Sequence, residues 1–351
     1  MKAVVCYGNN IINYEEIIEP QIVNDNDVKI NIKACGICGS DIPRAISNKA
    51  HNYPIVLGHE ASGIVVAVGK NVQNVNLGDK VAIVPLLPCY KCPDCKNGNY
   101  SLCKQYSFIG SRKQGAMADY IVVPNKNVVK LSNDISFELG ALFEPATVAL
   151  HAIFQNKYNF NQEGNVAIIG GGTIGLLLLK WLKTLGIQKI IVFGRNKEHL
   201  QLAQKLGADK IISTLDNDFM DKVDCFTNTR RFDYVFETAG AIATIKYAIE
   251  LAGNKANVCL VGTPTNEITF SVKKWEQINR KELYLTGSWM SYSKDFPGKE
   301  WTMTREYFSK DDFKLLENLF YKKFHMKDAN KAFSLLERNR KQVLGRLLLF
   351  N

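Results

Sequence analysis

The segment Cys89-Tyr90-Lys91-Cys92-Pro93-Asp94-Cys95 holds three thiols, and Cys103 adds a fourth after seven further residues. Two-residue spacings let one tight turn aim three sulfurs at a common point. The amino-terminal Met1–Cys6 reads as a strand and lacks the apolar core of a secretory leader, so metal is favoured over disulfides. Disulfides would also be strained at these spacings. Zinc accepts four thiolates tetrahedrally and then has no position open for chemistry, so the lobe 88–104 is expected to hold a structural ion.

A second set has the composition of a reactive centre. Cys38-Gly39-Ser40-Asp41 and Gly58-His59-Glu60 offer a thiolate and an imidazole with carboxylates beside them, and Glu144-Pro145 offers another carboxylate. Cysteine, histidine and a carboxylate around one exchangeable position is what a catalytic zinc requires. A third set binds phosphate. Gly170-Gly171-Gly172-Thr173-Ile174-Gly175 reads G-x-G-x-x-G between an expected strand and helix. In that context Gly170, Gly172, Thr173, Ile174 and Gly175 are expected to bring a dinucleotide pyrophosphate to the helix N-terminus. The following strand ends at Gly194-Arg195, where an NAD-selective fold would carry Asp or Glu. A small residue followed by a guanidinium suits a ribose 2′-phosphate, which favours NADP(H) over NAD(H).

These groups need two kinds of scaffold. Up to residue 154 short β-type runs alternate with Gly, Pro and Asn turns; Val28–Ala34 alternates strictly and Ala61–Val68 is a second strand. From 155 to 289 the texture becomes βαβ: strand Asn165–Ile169, helix Thr173–Leu185, strand Lys189–Phe193 and helix Lys197–Leu206. Strand Asp233–Glu237, helix Ala243–Leu251 and strand Ala256–Gly262 continue it. Residues 290–351 return to the first domain with two helical stretches and a last strand, Leu347–Phe350. The fold class is therefore α/β: a mostly-β catalytic domain with an inserted zinc lobe, plus a Rossmann-type doubly wound parallel sheet for the cofactor.

Composition narrows the function classes. The 351 residues are 46% hydrophobic and 22% charged, which suits a two-domain globular protein. No apolar run reaches membrane-spanning length, so a cytoplasmic protein without a membrane partner is expected. The net charge of +10 is scattered, without a basic arm or nucleic-acid motif, so no nucleic-acid partner is expected. Cys6, Cys35, Cys225 and Cys259 lie among apolar or small residues and are expected to be reduced core fillers.

Over its whole length the chain resembles the zinc-containing medium-chain alcohol/polyol dehydrogenases, with a GroES-like catalytic domain. The likeness rests on Cys35–Asp41, Gly58–Glu60, the thiol lobe, Glu144-Pro145 and the glycine loop. Segments Ala50–Pro54, Val84–Cys89, Phe108–Arg112, Gly287–Met290 and Pro297–Trp301 resemble the members acting on polyol phosphates. The resemblance makes Cys38, His59 and Glu144 catalytic-zinc ligands, with Glu60 either a ligand or a close neighbouring carboxylate. Asp41 would orient His59, and Ser40 would relay the substrate proton. Arg346, just before the last strand, joins the cofactor-binding set. Pro43 stands where some relatives end the relay with histidine, and whether His51 substitutes is left open. The implied reaction is hydride transfer between a nicotinamide cofactor and a polyol phosphate, galactitol 1-phosphate giving tagatose 6-phosphate. Arg112 is the favoured phosphate contact, with Lys299 beside it and Lys294 and Arg44 as further cations. Free sorbitol, threonine or a ribitol phosphate are alternative substrates, and a zinc- and nucleotide-binding protein without chemistry is the alternative of another class. Relatives imply a homodimer or homotetramer.

Overall fold

The computed structural model describes residues 1–158, 164–339, 343 and 345–351. The chain forms two compact units, Met1–Thr147 with Ser291–Asn351, and Val148–Met290.

The first unit is built on a sheet ordered Val128–Lys130, Lys80–Ile83, Glu60–Val68, Asp27–Ile37, Arg346–Phe350, Phe320–His325, with Tyr120–Pro124 also paired to Asp27–Ile37. Its pairings are antiparallel except that of Arg346–Phe350 with Phe320–His325. Strand Asp27–Ile37 buries Val28, Ile30 and Ile32 and then becomes buried on both faces from Ala34 to Ile37. That change of pattern marks the point where the strand leaves the edge of the core and enters the site. The register sets Glu60 opposite Gly36 and Leu347 opposite Ile37, so Glu60 and Arg346 flank the same end of the central strand. A smaller sheet, Ile11–Glu16, Lys2–Gly8 and Ile55–Val56, packs its buried residues into the same core.

The second unit is a six-stranded, wholly parallel sheet. Its order is Lys210–Ser213, Ile190–Gly194, Val166–Ile169, Phe232–Glu237, Ala252–Leu260, Tyr284–Gly287. In sequence terms this is 3-2-1-4-5-6, the doubly wound order of dinucleotide-binding folds. Strand Val166–Ile169 is buried along its length because it lies centrally with strands on both sides. Helix Thr173–Thr184 buries its run Gly175–Leu182. The strands Lys210–Ser213 and Tyr284–Gly287, and the helices Phe219–Thr227 and Val272–Arg280, lie beyond the sequence expectation. Both strands sit at sheet edges and are only partly buried, so their apolar pattern is weak. The expectation for Cys225 is corrected: helix Phe219–Thr227 turns its thiol outward, whereas Cys6, Cys35 and Cys259 are buried. Among the described residues no helix is long and apolar enough to cross a membrane.

Candidate active site

Strand Asp27–Ile37 ends one residue before Cys38, and the turn that follows starts the helix Asp41–Ile46. Asp41 is fully buried at the first position of that helix; its Oδ2 accepts from the Cys38 amide at 3.0 Å. Its Oδ1 faces His59 Nδ1 at 3.5 Å. The carboxylate thus stands beside one nitrogen of the imidazole without a hydrogen bond to it among the described residues. Ligand atoms of Cys38, His59 and Glu60 all lie within 4.8 Å of one another. Glu144, expected from the resemblance to be a ligand, stands outside that group. It is nevertheless buried in the first turn of helix Phe143–Gln155, and its carboxyl feels His59, Glu60 and Arg346.

Charge dominates this pocket. Arg346 Nη2 meets Glu60 Oε1 at 2.6 Å, with both side chains nearly inaccessible. A side chain at Gly36 would stand 2.6 Å from Glu60 Oε2, so glycine at this register position is what admits the pair. Without metal, burial pushes Glu60 up to about 8 despite the pull of Arg346, and burial likewise pushes Glu144 up to about 7. Burial works against the charge on Arg346, yet Glu60, Cys38 and Glu144 hold its pKa above the usual range. Glu60 Oε2 and His59 Nδ1 are buried without a hydrogen-bond partner among the described residues. A thiolate, an imidazole and a carboxylate with one oxygen unspoken for match zinc chemistry, so the residues fit the ion that the sequence implies.

The thiol lobe is assembled differently. Cys92 caps the short helix Pro93–Lys96, its sulfur accepting from the Cys95 amide at 3.5 Å, and Cys103 Sγ accepts from the Cys89 amide at 3.4 Å. All four sulfurs lie within 4.8 Å of one another, and all four cysteines are free. A tetrahedral site with ~2.3 Å metal–sulfur bonds has edges of about 3.8 Å, against 4.0 Å between Cys89 Sγ and Cys95 Sγ. Backbone amides of Lys91 and Cys92 pull the Cys89 thiol down to about 6, whereas burial pushes Cys95 up to about 12. The lobe is joined to the site by a chain of ring contacts, edge-on at the lobe and stacked at Tyr292. Tyr90 and Tyr100 meet Phe296, Phe296 meets Tyr292, Tyr292 meets Trp301, and Trp301 meets Phe143, the neighbour of Glu144.

In the second unit the glycine loop joins strand Val166–Ile169 to helix Thr173–Thr184. Gly170 has φ +116°, which disfavours any side chain, and a Cβ on Gly175 would fall 1.9 Å from the Gly170 carbonyl. Gly172 is the helix N-cap without a side-chain acceptor, and a Cβ there would meet nothing within 4 Å. Open space at the first amides of the helix carrying Thr173 and Ile174 is the cradle a pyrophosphate needs. Gly194 ends its strand beside this loop, since a Cβ on it would lie 3.8 Å from the Gly171 amide, and Arg195 follows, exposed.

The expected phosphate contacts take different positions. Arg112 lies over the Tyr106 ring at 4.2 Å and donates to the Tyr106 carbonyl at 3.2 Å. Its segment reaches the site through Phe108, whose ring meets His59 edge-on at 5.4 Å. Lys299 and Lys294 are exposed. Arg346, expected with the cofactor residues, is seated on Glu60, and His51 is exposed. Gly36 and Phe108 lie in segments that carry the family likeness, but the sequence assigns them no role in the site, and it gives no sign of the ring array. Only the glycine before the Cys38 turn carried a signal, and it was one glycine among many.

Residues 24–133 match the family model described as alcohol dehydrogenase GroES-like domain, and residues 173–304 that described as zinc-binding dehydrogenase. Galactitol 1-phosphate 5-dehydrogenase of Escherichia coli K12 is 42% identical over 301 residues, covering 86% of each chain. Sorbitol dehydrogenase of Bacillus subtilis is 35% identical over 78% of each chain. The crystal structure of the Escherichia coli galactitol-1-phosphate dehydrogenase superposes with a TM-score of 0.93 at 39% identity, covering 100% of both chains. An alcohol dehydrogenase of Escherichia coli CFT073, solved with NADH, superposes with a TM-score of 0.88 at 25% identity, covering 100% of this chain and 99% of that one. With a GroES-like unit, a dinucleotide-binding unit and a zinc-type site in one chain, the protein belongs to the zinc-containing medium-chain alcohol/polyol dehydrogenases, oxidoreductases acting on CH–OH groups.

Proposed function

We propose that the enzyme oxidises a polyol phosphate, galactitol 1-phosphate to tagatose 6-phosphate, and reduces the ketose phosphate in reverse, with NADP(H) preferred. The 42% identity to galactitol 1-phosphate 5-dehydrogenase over 86% of both chains carries the substrate. Gly194 and Arg195 carry the cofactor preference: the strand end lacks the carboxylate that would accept from the ribose and repel a 2′-phosphate.

Cys38, His59 and the Glu60 or Glu144 carboxylate would hold a zinc ion, which would supply a Lewis acid for the alcohol oxygen, with a nicotinamide as hydride acceptor. The chain does the rest. Asp41 faces His59, and Arg346 donates to Glu60 and favours its ionised form against the burial that opposes it. Ser40, exposed at the start of helix Asp41–Ile46, takes the alcohol proton and passes its own outward. Arg112 grips the phosphate with Lys299 as a second cation. Cys89, Cys92, Cys95 and Cys103 would hold a second ion, which would keep that loop folded. Nine free cysteines suit the reducing cytoplasm. A homodimer or homotetramer is supported by the edge strand Tyr284–Gly287, which exposes Tyr284 and Leu285.

Galactitol 1-phosphate, free galactitol and sorbitol should be assayed with NADP+ and with NAD+. The phosphorylated polyol with NADP+ is expected to give the highest kcat/KM. Equal activity on free galactitol rejects the phosphate reading, and a higher kcat/KM with NAD+ rejects the cofactor reading. One relative is solved with NADH, so the cofactor arm discriminates sharply.

A further inference from the structure

We infer that Arg44 is a positioning residue of the proton path, fixing the relay hydroxyl and the carboxylate that faces His59 with a single guanidinium nitrogen. Arg44 Nη1 donates to Ser40 Oγ at 3.0 Å and to Asp41 Oδ1 at 3.3 Å. Asp41 is the residue that faces His59, so one cation joins the two parts of the site that the dehydrogenase reading requires to cooperate. Arg44 itself is pinned from behind, because its carbonyl accepts from the Tyr53 hydroxyl, which in turn accepts from the Ala50 amide at 3.1 Å. Its side chain is only 19% exposed.

The hydrogen-bond inventory gives the pairing a direction. A serine hydroxyl has one proton and two acceptor lone pairs, while a guanidinium only donates and does not deprotonate. Ser40 occupies the N-cap position of helix Asp41–Ile46, where a serine oxygen commonly accepts from a backbone amide, yet it makes no cap hydrogen bond. Arg44 fills one lone pair of Oγ instead. The other lone pair is left for the substrate hydroxyl, and the serine proton must point away from Arg44. In the relay one O–H bond forms on Ser40 as the alcohol O–H breaks, and the original Ser40 proton leaves to water. Arg44 keeps all its protons and favours the negative charge that builds on Oγ during the exchange. This gives the neighbour of Pro43 a role in a path that lacks histidine at that position. Arg44 thus belongs with Ser40 and Asp41, and not with the phosphate contacts.

The test uses the zinc-loaded full-length enzyme and the variants Arg44→Ala and Arg44→Lys, on galactitol 1-phosphate and the best free polyol. Loss of a charge-assisted hydrogen bond predicts a kcat lowered roughly tenfold to hundredfold in Arg44→Ala. KM for both substrates should change less than about threefold, since the contact is made to Ser40 and not to the substrate. The solvent deuterium isotope effect on kcat should increase, and millimolar guanidine should restore part of the rate. Zinc content and the rate of zinc release to a chelator should match wild type. Arg44→Lys keeps the charge and the fold and should fall between the two. An unchanged kcat overturns the inference, as does a loss explained by missing zinc. A KM increase confined to the phosphorylated substrate overturns it in favour of a phosphate contact. A wild type with no turnover on any polyol removes the dehydrogenase reading beneath it.

Discussion

The thiol lobe and the mixed cluster of Cys38, His59 and Glu60 are both metal-type sites in the same unit, yet they are assembled on opposite principles. The lobe draws its four sulfurs from positions 89 to 103 and orients them with its own backbone amides. The mixed cluster draws on the end of one strand, the start of another and a salt bridge spanning 286 residues of sequence. A local, all-thiolate site is self-sufficient and closed, so a metal bound there could only stabilise. A cluster held by the tertiary register can leave a coordination position open, because the surrounding fold, and not the metal, holds its ligands apart.

The comparison is broken most forcefully by exchanging one thiol in each site. Cys95→Ser is expected to prevent accumulation of folded protein, because a structural zinc is worth about 10–16 kcal/mol, as much as a whole domain's stability. Cys38→Ser should fold and melt near wild type but lose turnover by about a thousandfold or more, since a Lewis acid supplies several kcal/mol to the barrier. Metal analysis should count about two zinc ions per chain in wild type and about one in Cys38→Ser. One zinc in fully active wild type would end the division of roles.

A smaller effect sharpens the dependence of the mixed cluster on the fold. Arg346→Ala leaves Glu60 Oε1 buried without its donor and should cost about 1–3 kcal/mol in urea unfolding of protein stripped of its exchangeable zinc. The same variant should retain the lobe zinc. A loss below about 1 kcal/mol would mean that water reaches Glu60 and that the pair is not desolvated.

The smallest effect concerns protons. With Glu60 raised from 4.5 to about 8 by burial, the native metal-free site binds more protons than the unfolded chain between those values. Its stability should therefore fall as pH rises through that window, with Glu144, raised to about 7, adding to the slope. Bound zinc should flatten the slope by holding the carboxylates ionised, and Glu60→Gln should flatten it without zinc. Thermal melts across pH 5 to 8 check both, and a melting temperature that rises with pH in the stripped protein would contradict the assignment.

The same contrast explains what could be read in the sequence. The lobe and the glycine loop are written in contiguous residues, and both appear where their spacing puts them. The parallel sheet is legible because its central strands are buried on both faces, as in Val166–Ile169. Its edge strands escape because Lys210–Ser213 and Tyr284–Gly287 are half-exposed and carry no clean pattern. Cys225 was misread because small and apolar neighbours say nothing about which side of a helix a thiol takes. The Glu60–Arg346 pair was beyond reach, since it depends on the register of two strands on either side of Asp27–Ile37.

That register also sets a timetable. Arg346 leaves the ribosome 286 residues after Glu60, roughly 15–60 s later at ordinary rates of synthesis. Within that interval the whole of Val148–Met290 is synthesised and can fold on its own contiguous chain, while the slot beside Asp27–Ile37 still lacks Arg346–Phe350. A nascent chain released early, before Arg346–Phe350, would own a complete cofactor sheet and a complete thiol lobe but no counter-ion for Glu60. Completion of the pocket beside Glu60 thus waits on Arg346, the last of its residues to be synthesised.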